Sequence, residues 1–139
     1  MRVDGKELNS MGDLTGHFSK AEFECTCGCG LMNIKGRLVL TLEEIRSAVG
    51  QAVHIESGCR CPSRNSAVGG KPDSGHLTGE AADIWVDGLS NRDLGSVIKG
   101  LHRRQKLPYL RYCYLIAGTS NTRVHVGVDA KTRRSVFGF

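Results

Sequence analysis

Apolar residues recur at helical spacing in two stretches of the chain and alternate with polar ones in several others. Leu38, Leu42, Ile45 and Val49 share one face of a helix over 37–49, and Gly50 follows as a C-terminal stop. A second helix, over about 91–105 and capped near Ser90–Asp93, carries the stripe Leu94, Val97, Ile98 and Leu101. Ser19-Lys20-Ala21-Glu22 has the form of a capping box and predicts a short helix starting at Ser19. Val53, Ile55 and Ser57 alternate with His54 and Glu56, which predicts a short strand. Residues 81–86, 112–117 and 123–128 read as further strands, and 135–137 as a candidate for one more. Residues 58–79, rich in glycine and holding Pro62 and Pro72, read as one long irregular loop, a feature that is usually functional in a compact domain. Residues 1–17 are aperiodic and read as an N-terminal arm, followed by a domain over 18–139. Two main helices and non-alternating strands predict an α+β fold: a small single domain with a mostly antiparallel sheet.

The alternation also has a chemical consequence. On the last strand Val124, Val126 and Val128 share one face, and Arg123, His125, Gly127 and Asp129 the other. Because the valines favour the core, His125 points to an open face. Asp83 likewise opposes Ala82, Ile84 and Val86. His76 lies in the glycine-rich loop just before Asp83, where Gly75 and Gly79 let the chain fold back. Zinc favours imidazole and carboxylate ligands, and a catalytic site leaves its fourth position to water.

Net charge and cysteine content adjust this picture. The chain has 139 residues and a net charge of +5, but residues 99–139 hold nine Lys/Arg against the single acid Asp129. That stretch reads as a solvated basic face or as a surface drawn to an acidic polymer such as a cell wall. Nucleic acid is not expected as a partner, because the basic residues are scattered and aromatics make up only 6%. No apolar run approaches the ~20 residues of a membrane span, and residues 1–20 lack the apolar core of a signal peptide. The expectation is a monomer left in the cytoplasm as synthesised, or exported by a route the sequence does not show. Cys25, Cys27, Cys29, Cys59 and Cys61 form two tight clusters. Reduced thiols are the first reading, then disulfides. A second metal site is the least favoured, because zinc-binding cysteine pairs are usually two to four residues apart rather than one. Cys113 reads as a buried small hydrophobe.

Ser74-x-His76-x-x-Gly79-x-Ala81-x-Asp83, followed by His125 on a late strand, resembles the zinc D-alanyl-D-alanine carboxypeptidase family. That family includes VanX-type dipeptidases and phage endolysin endopeptidases, and the Hedgehog signalling domain shares its zinc arrangement. Further similar stretches are Phe18-Ser19-x-x-Glu22-Phe23 leading into Cys27-Gly28-Cys29-Gly30, then Ser57-Gly58-Cys59-Arg60-Cys61-Pro62, then Asn65-Ser66-Ala67-Val68-Gly69-Gly70. The resemblance spans about residues 17–137. It implies that His76, Asp83 and His125 bind one catalytic zinc ion, that Arg60 binds substrate and steadies the developing oxyanion, and that Ser74 supports the site. The implied reaction is attack of zinc-bound water on a peptide bond in peptidoglycan stem peptides, as a carboxypeptidase or an endopeptidase. Members of the family usually carry an acid three residues before or two after the late histidine. Thr122 and Gly127 stand at those positions here. Asp129, on the same strand face as His125, becomes the first candidate for general base, ahead of Glu80, Glu56 and His54, although four residues on is ~13 Å along an ideal strand. Trp85, two residues past Asp83 on its face, is either core packing or a wall of the substrate cleft. The alternative to an enzyme is a non-catalytic, zinc-stabilised binding module of the Hedgehog kind.

Overall fold

Cβ alternation on the predicted strands and the apolar stripes on the predicted helices meet in one core. The computed structural model describes residues 2–3, 6–7, 14–118, 120–130 and 135–139. Of the expected N-terminal arm, residues 1, 4–5 and 8–13 lie outside the described residues. Strands β1 (Arg2–Val3) and β2 (Lys6–Glu7) pair as a two-stranded ribbon. Then follow α1 (Lys20–Phe23), α2 (Gly36–Val49), β3 (His54–Ser57), α3 (Pro62–Ala67), a 3-10 turn (Gly75–Thr78), β4 (Ala81–Trp85), α4 (Asn91–Arg103), β5 (Tyr112–Leu115) and β6 (Val124–Gly127). The main sheet has the order β3-β4-β6-β5, with every neighbouring pair antiparallel. The fold is therefore α+β, as the pattern predicts. No helix among the described residues is long and apolar enough to cross a membrane.

Leu38, Leu42 and Ile45 of α2 join Leu94, Ile98 and Leu101 of α4 over Ala82, Ile84, Cys113, Val124 and Val126 of the sheet. Fully burying each of these leucine, isoleucine and valine side chains contributes about 1.5–3 kcal/mol. Leu14 and Phe18 are buried in the same core. Helix α2 ends where Gly50 turns left-handed (φ 69°), a conformation glycine takes without strain. Helix α4 begins under the Ser90 hydroxyl, which accepts the Asp93 N–H at 3.1 Å. It stops two residues short of the expected end, because Gln105 turns left-handed (φ 59°). The tail contributes a single bridge, Phe137 beside Cys113.

The stretch 58–79 is more ordered than its composition suggests. Pro62 fixes the first turn of α3, and the Cys61 sulfur accepts the Arg64 N–H at 3.4 Å. The 3-10 turn is capped by the Ser74 hydroxyl and closed by left-handed Gly79. A side chain at Gly79 would strike the Asn33 carbonyl at 2.1 Å, so this close approach requires glycine.

Candidate metal centre

Antiparallel register lines up one residue from each strand: Ser57, Asp83, His125 and Tyr114 stand side by side across β3, β4, β6 and β5. Directly opposed residues have Cβ atoms ~4.5–5.5 Å apart. Asp83 and His125 are thus close because of sheet pairing alone. The 3-10 turn adds His76, itself 2% exposed. One ligand-competent atom from each of His76, Asp83 and His125 lies within 4.8 Å of the others.

The hydrogen bonds around the two imidazoles fix which nitrogens face inward. His76 Nδ1 is 2.7 Å from the Gly58 carbonyl, which can only accept. Nδ1 therefore carries the proton, and in the neutral ring Nε2 turns its lone pair to Asp83 Oδ1 at 3.4 Å. The Tyr112 hydroxyl donates to Asp129 Oδ1 at 2.6 Å and so accepts from His125 Nε2, 3.4 Å away. That leaves His125 Nδ1 facing Asp83 Oδ1 at 2.8 Å. Two imidazole lone pairs and a carboxylate thus converge, an arrangement satisfied by a cation and by protons in its absence. Both outer partners, Gly58 and Tyr112, orient a ligand ring as outer-shell groups do in zinc sites. The donor set fits zinc.

Electrostatics agree with this reading. Burial alone would raise the Asp83 pKa, but where protons rather than a cation bridge the three groups, hydrogen bonds from His125 and His76 outweigh it and hold the carboxyl well below the usual range. Burial pushes the His125 imidazole down, against the upward pull of Asp83. Arg60 completes the charge pattern. Its Nη2 lies 3.4 Å from Asp83 Oδ2, its Nε donates to Ser57 Oγ at 3.1 Å, and its Nη1 donates to Asn65 Oδ1 at 3.3 Å. The triad and Arg60 open onto a cavity of about 620 Å³ bordered also by Ser74, Lys71, Tyr112 and Tyr114.

The other sequence candidates are placed as follows. Ser74 borders the cavity and accepts the His76 N–H at 3.2 Å. Trp85 does not border it: its ring stacks on His54 at 4.1 Å, with the Arg123 guanidinium 4.9 Å from its centre. Asp129 is buried against Tyr112, and a side chain at Gly75 would lie 2.6 Å from its carboxylate. Glu80 pairs with Arg37, Glu56 with Arg123 at 3.2 Å, and His54 with Asp87 at 2.9 Å. At position 127, where the resemblance anticipates an acid, a Cβ would strike the Tyr112 ring at 2.2 Å. Glycine there makes room for the phenol that reaches His125.

Three contributors were not singled out by the sequence reading. Tyr112 and Tyr114 flank core-facing Cys113, and strand alternation places both on the face of His125, whose ring stacks on Tyr114 at 4.4 Å. Asn65, 4% exposed, holds Arg60 while its amide donates to the Lys71 carbonyl at 2.9 Å. Its only signal in the sequence is its place at the head of the stretch Asn65–Gly70 that carries the family resemblance.

Comparison with known protein families matches residues 16–116 to Peptidase M15. That span holds Arg60, Ser74, His76 and Asp83, whereas His125 and Asp129 lie beyond it and are supplied by the fold. No curated protein matches the chain. With well over half of its length matched and a ligand set suited to zinc, the chain belongs to the Peptidase M15 family of zinc metallopeptidases.

Proposed function

We propose that this chain hydrolyses a peptide bond in peptidoglycan stem peptides, with zinc held by His76, Asp83 and His125. The observation that carries this reading is the convergence of three lone-pair donors beside Arg60 on a cavity large enough for a short peptide. Zinc bound there would polarise a carbonyl and lower the pKa of water from ~16 towards ~7, giving a nucleophile at neutral pH.

The chain's own residues supply positioning and charge. Ser57, Asn65 and Asp83 grip Arg60 on three sides, so its guanidinium sits at a fixed place on the cavity wall. From there it can hold a substrate carboxylate or stabilise negative charge on the scissile carbonyl oxygen. The Gly58 carbonyl keeps His76 in one tautomer, and Asp129 acts through Tyr112 to keep His125 in the complementary one. Ser74 borders the substrate cavity. Trp85, farther along the face of β4, would meet only a longer peptide running past it. Action on a cell-wall peptide places the site of work at the bacterial wall, as for endolysins.

The deciding experiment incubates zinc-loaded protein with purified stem peptides and follows products by mass spectrometry, with chelated protein and His125→Ala as controls. Zinc-dependent release of a fragment is expected, and its mass tells carboxypeptidase from endopeptidase cleavage. A second reading has its own support in Thr122 and Gly127, which stand where family acids are anticipated. Intact peptides from protein loaded with zinc at the histidine site would replace the peptidase with a zinc-stabilised binding module.

A further inference from the structure

Outside the cavity, Cys25, Cys27, Cys29 and Cys61 bring four sulfurs within 4.8 Å of one another. Cys27 Sγ is 3.5 Å from both Cys25 Sγ and Cys61 Sγ. Four thiolates around a tetrahedral zinc, with Zn–S of ~2.3 Å, sit ~3.8 Å apart. The cluster already has nearly those dimensions.

The one-residue spacing that argued against a metal in the sequence is overcome by local backbone geometry. Gly28 (φ 86°) and Gly30 (φ 84°) are left-handed, so the turn curls and carries Cys27 and Cys29 to the same side as Cys25. The Cys25 N–H closes the turn on the Leu31 carbonyl at 2.9 Å. The fourth sulfur arrives from the N-cap of α3, thirty-four residues from Cys27. Backbone N–H groups point at the sulfurs: Cys61 N–H donates to Cys25 Sγ and Arg64 N–H to Cys61 Sγ, both at 3.4 Å. Such donors favour thiolate over thiol. Cys59 takes no part, being turned into the core and 2% exposed. Any complete disulfide pairing of the four would join two cysteines of a single five-residue turn.

We propose that Cys25, Cys27, Cys29 and Cys61 hold a second, structural zinc ion. Binding releases the thiol protons to solvent and leaves four sulfur ligands with no open position. The ion would fasten the turn at 25–31 to the start of α3, and so steady the segment that presents the Gly58 carbonyl and Arg60 to the catalytic site.

The test is elemental analysis of reduced protein purified with zinc. The expected content is two zinc ions per chain. It falls to one in His76→Ala/His125→Ala and to one in Cys27→Ser/Cys61→Ser, and stays at two in Cys59→Ala. Cobalt loaded into the His76→Ala/His125→Ala protein should show intense thiolate-to-cobalt charge-transfer absorption, which needs no cysteine variant to fold. An unsubstituted chain that holds only one zinc, with that content unchanged in Cys27→Ser/Cys61→Ser, or cobalt without that absorption, would overturn the proposal. Because the readout is metal content, failure of the peptidase reading leaves this result unaffected, and the reverse holds too.

Discussion

Two clusters of metal-competent side chains flank the segment from Ser57 to Cys61, and they are built in opposite ways. His76, Asp83 and His125 are buried or nearly so, and two of them are placed by strand register. They offer three donors and open onto a cavity. Cys25, Cys27, Cys29 and Cys61 come from a turn and a helix cap, and Cys27 and Cys29 are exposed. They offer four donors, and none of them lines that cavity. Rigid placement with an unfilled position suits chemistry, whereas a full shell drawn from loops suits fastening. A single stretch serves both clusters: Gly58 and Arg60 face one, Cys61 the other.

Removing a ligand from each side should give the largest effect and tell the two clusters apart. His76→Ala, Asp83→Ala or His125→Ala should abolish peptide cleavage, by more than the ~10–100-fold that outer-shell partners cost. Cysteine variants should instead retain measurable cleavage in whatever fraction stays folded. Comparable kcat losses per folded molecule on the two sides would remove the distinction. Next in size is Arg60→Ala, which should lower kcat/KM by about 10²–10³-fold, the cost of losing one preorganised oxyanion donor, with zinc content unchanged. Loss of zinc in that variant would mean Arg60 serves the metal site through Asp83 rather than the substrate.

A smaller effect separates direct from indirect roles on the cavity side. Tyr112→Phe and Asp129→Asn should each weaken zinc affinity or activity by about 10–100-fold, measured by competition with a chromophoric chelator. Each removes part of the chain Asp129–Tyr112–His125, so the double variant should cost little more than either alone. A full additive loss would indicate that Asp129 acts on substrate by its own route, as the sequence suggested.

What lies within one element was legible in the sequence, and what passes between elements was not. The valine alternation at 124, 126 and 128 correctly set His125 on the face away from the core, and the stripes of α2 and α4 gave the core itself. These features depend on period alone, which is local. The link from Asp129 to His125 runs through Tyr112 on a neighbouring strand, and distance along β6 could not reveal it. The convergence of Cys25, Cys27 and Cys29 with Cys61 was not legible along the chain for a related reason. Ligand spacing rules presume a regular hairpin, whereas two left-handed glycines and a sulfur from a distant helix cap make this cluster. Helix α3 was hidden because a glycine- and proline-rich composition reads as loop, even where proline at a first turn starts a helix.

The smallest effect distinguishes the clusters by the pH range in which each supports the zinc-free, reduced fold. Burial opposes ionisation of Cys25, but the N–H groups of Cys27 and Cys61 lower its pKa from 9.0 to about 6. A thiol lowered on folding contributes stability above its unfolded value, and that contribution is lost as pH falls from 9.0 through about 6. Burial lowers His125 below its ordinary 6.5, so below that pH the unfolded chain takes up a proton first and stability falls further. Asp83, held below its ordinary 3.8, adds the same sign of loss only under that value. The urea midpoint should therefore decline in two stages between pH 8.5 and 5. Cys25→Ser should flatten the upper stage and leave the lower, and His125→Gln should do the reverse. A single decline removed by either substitution would mean that the two clusters titrate as one unit, coupled through the segment they share.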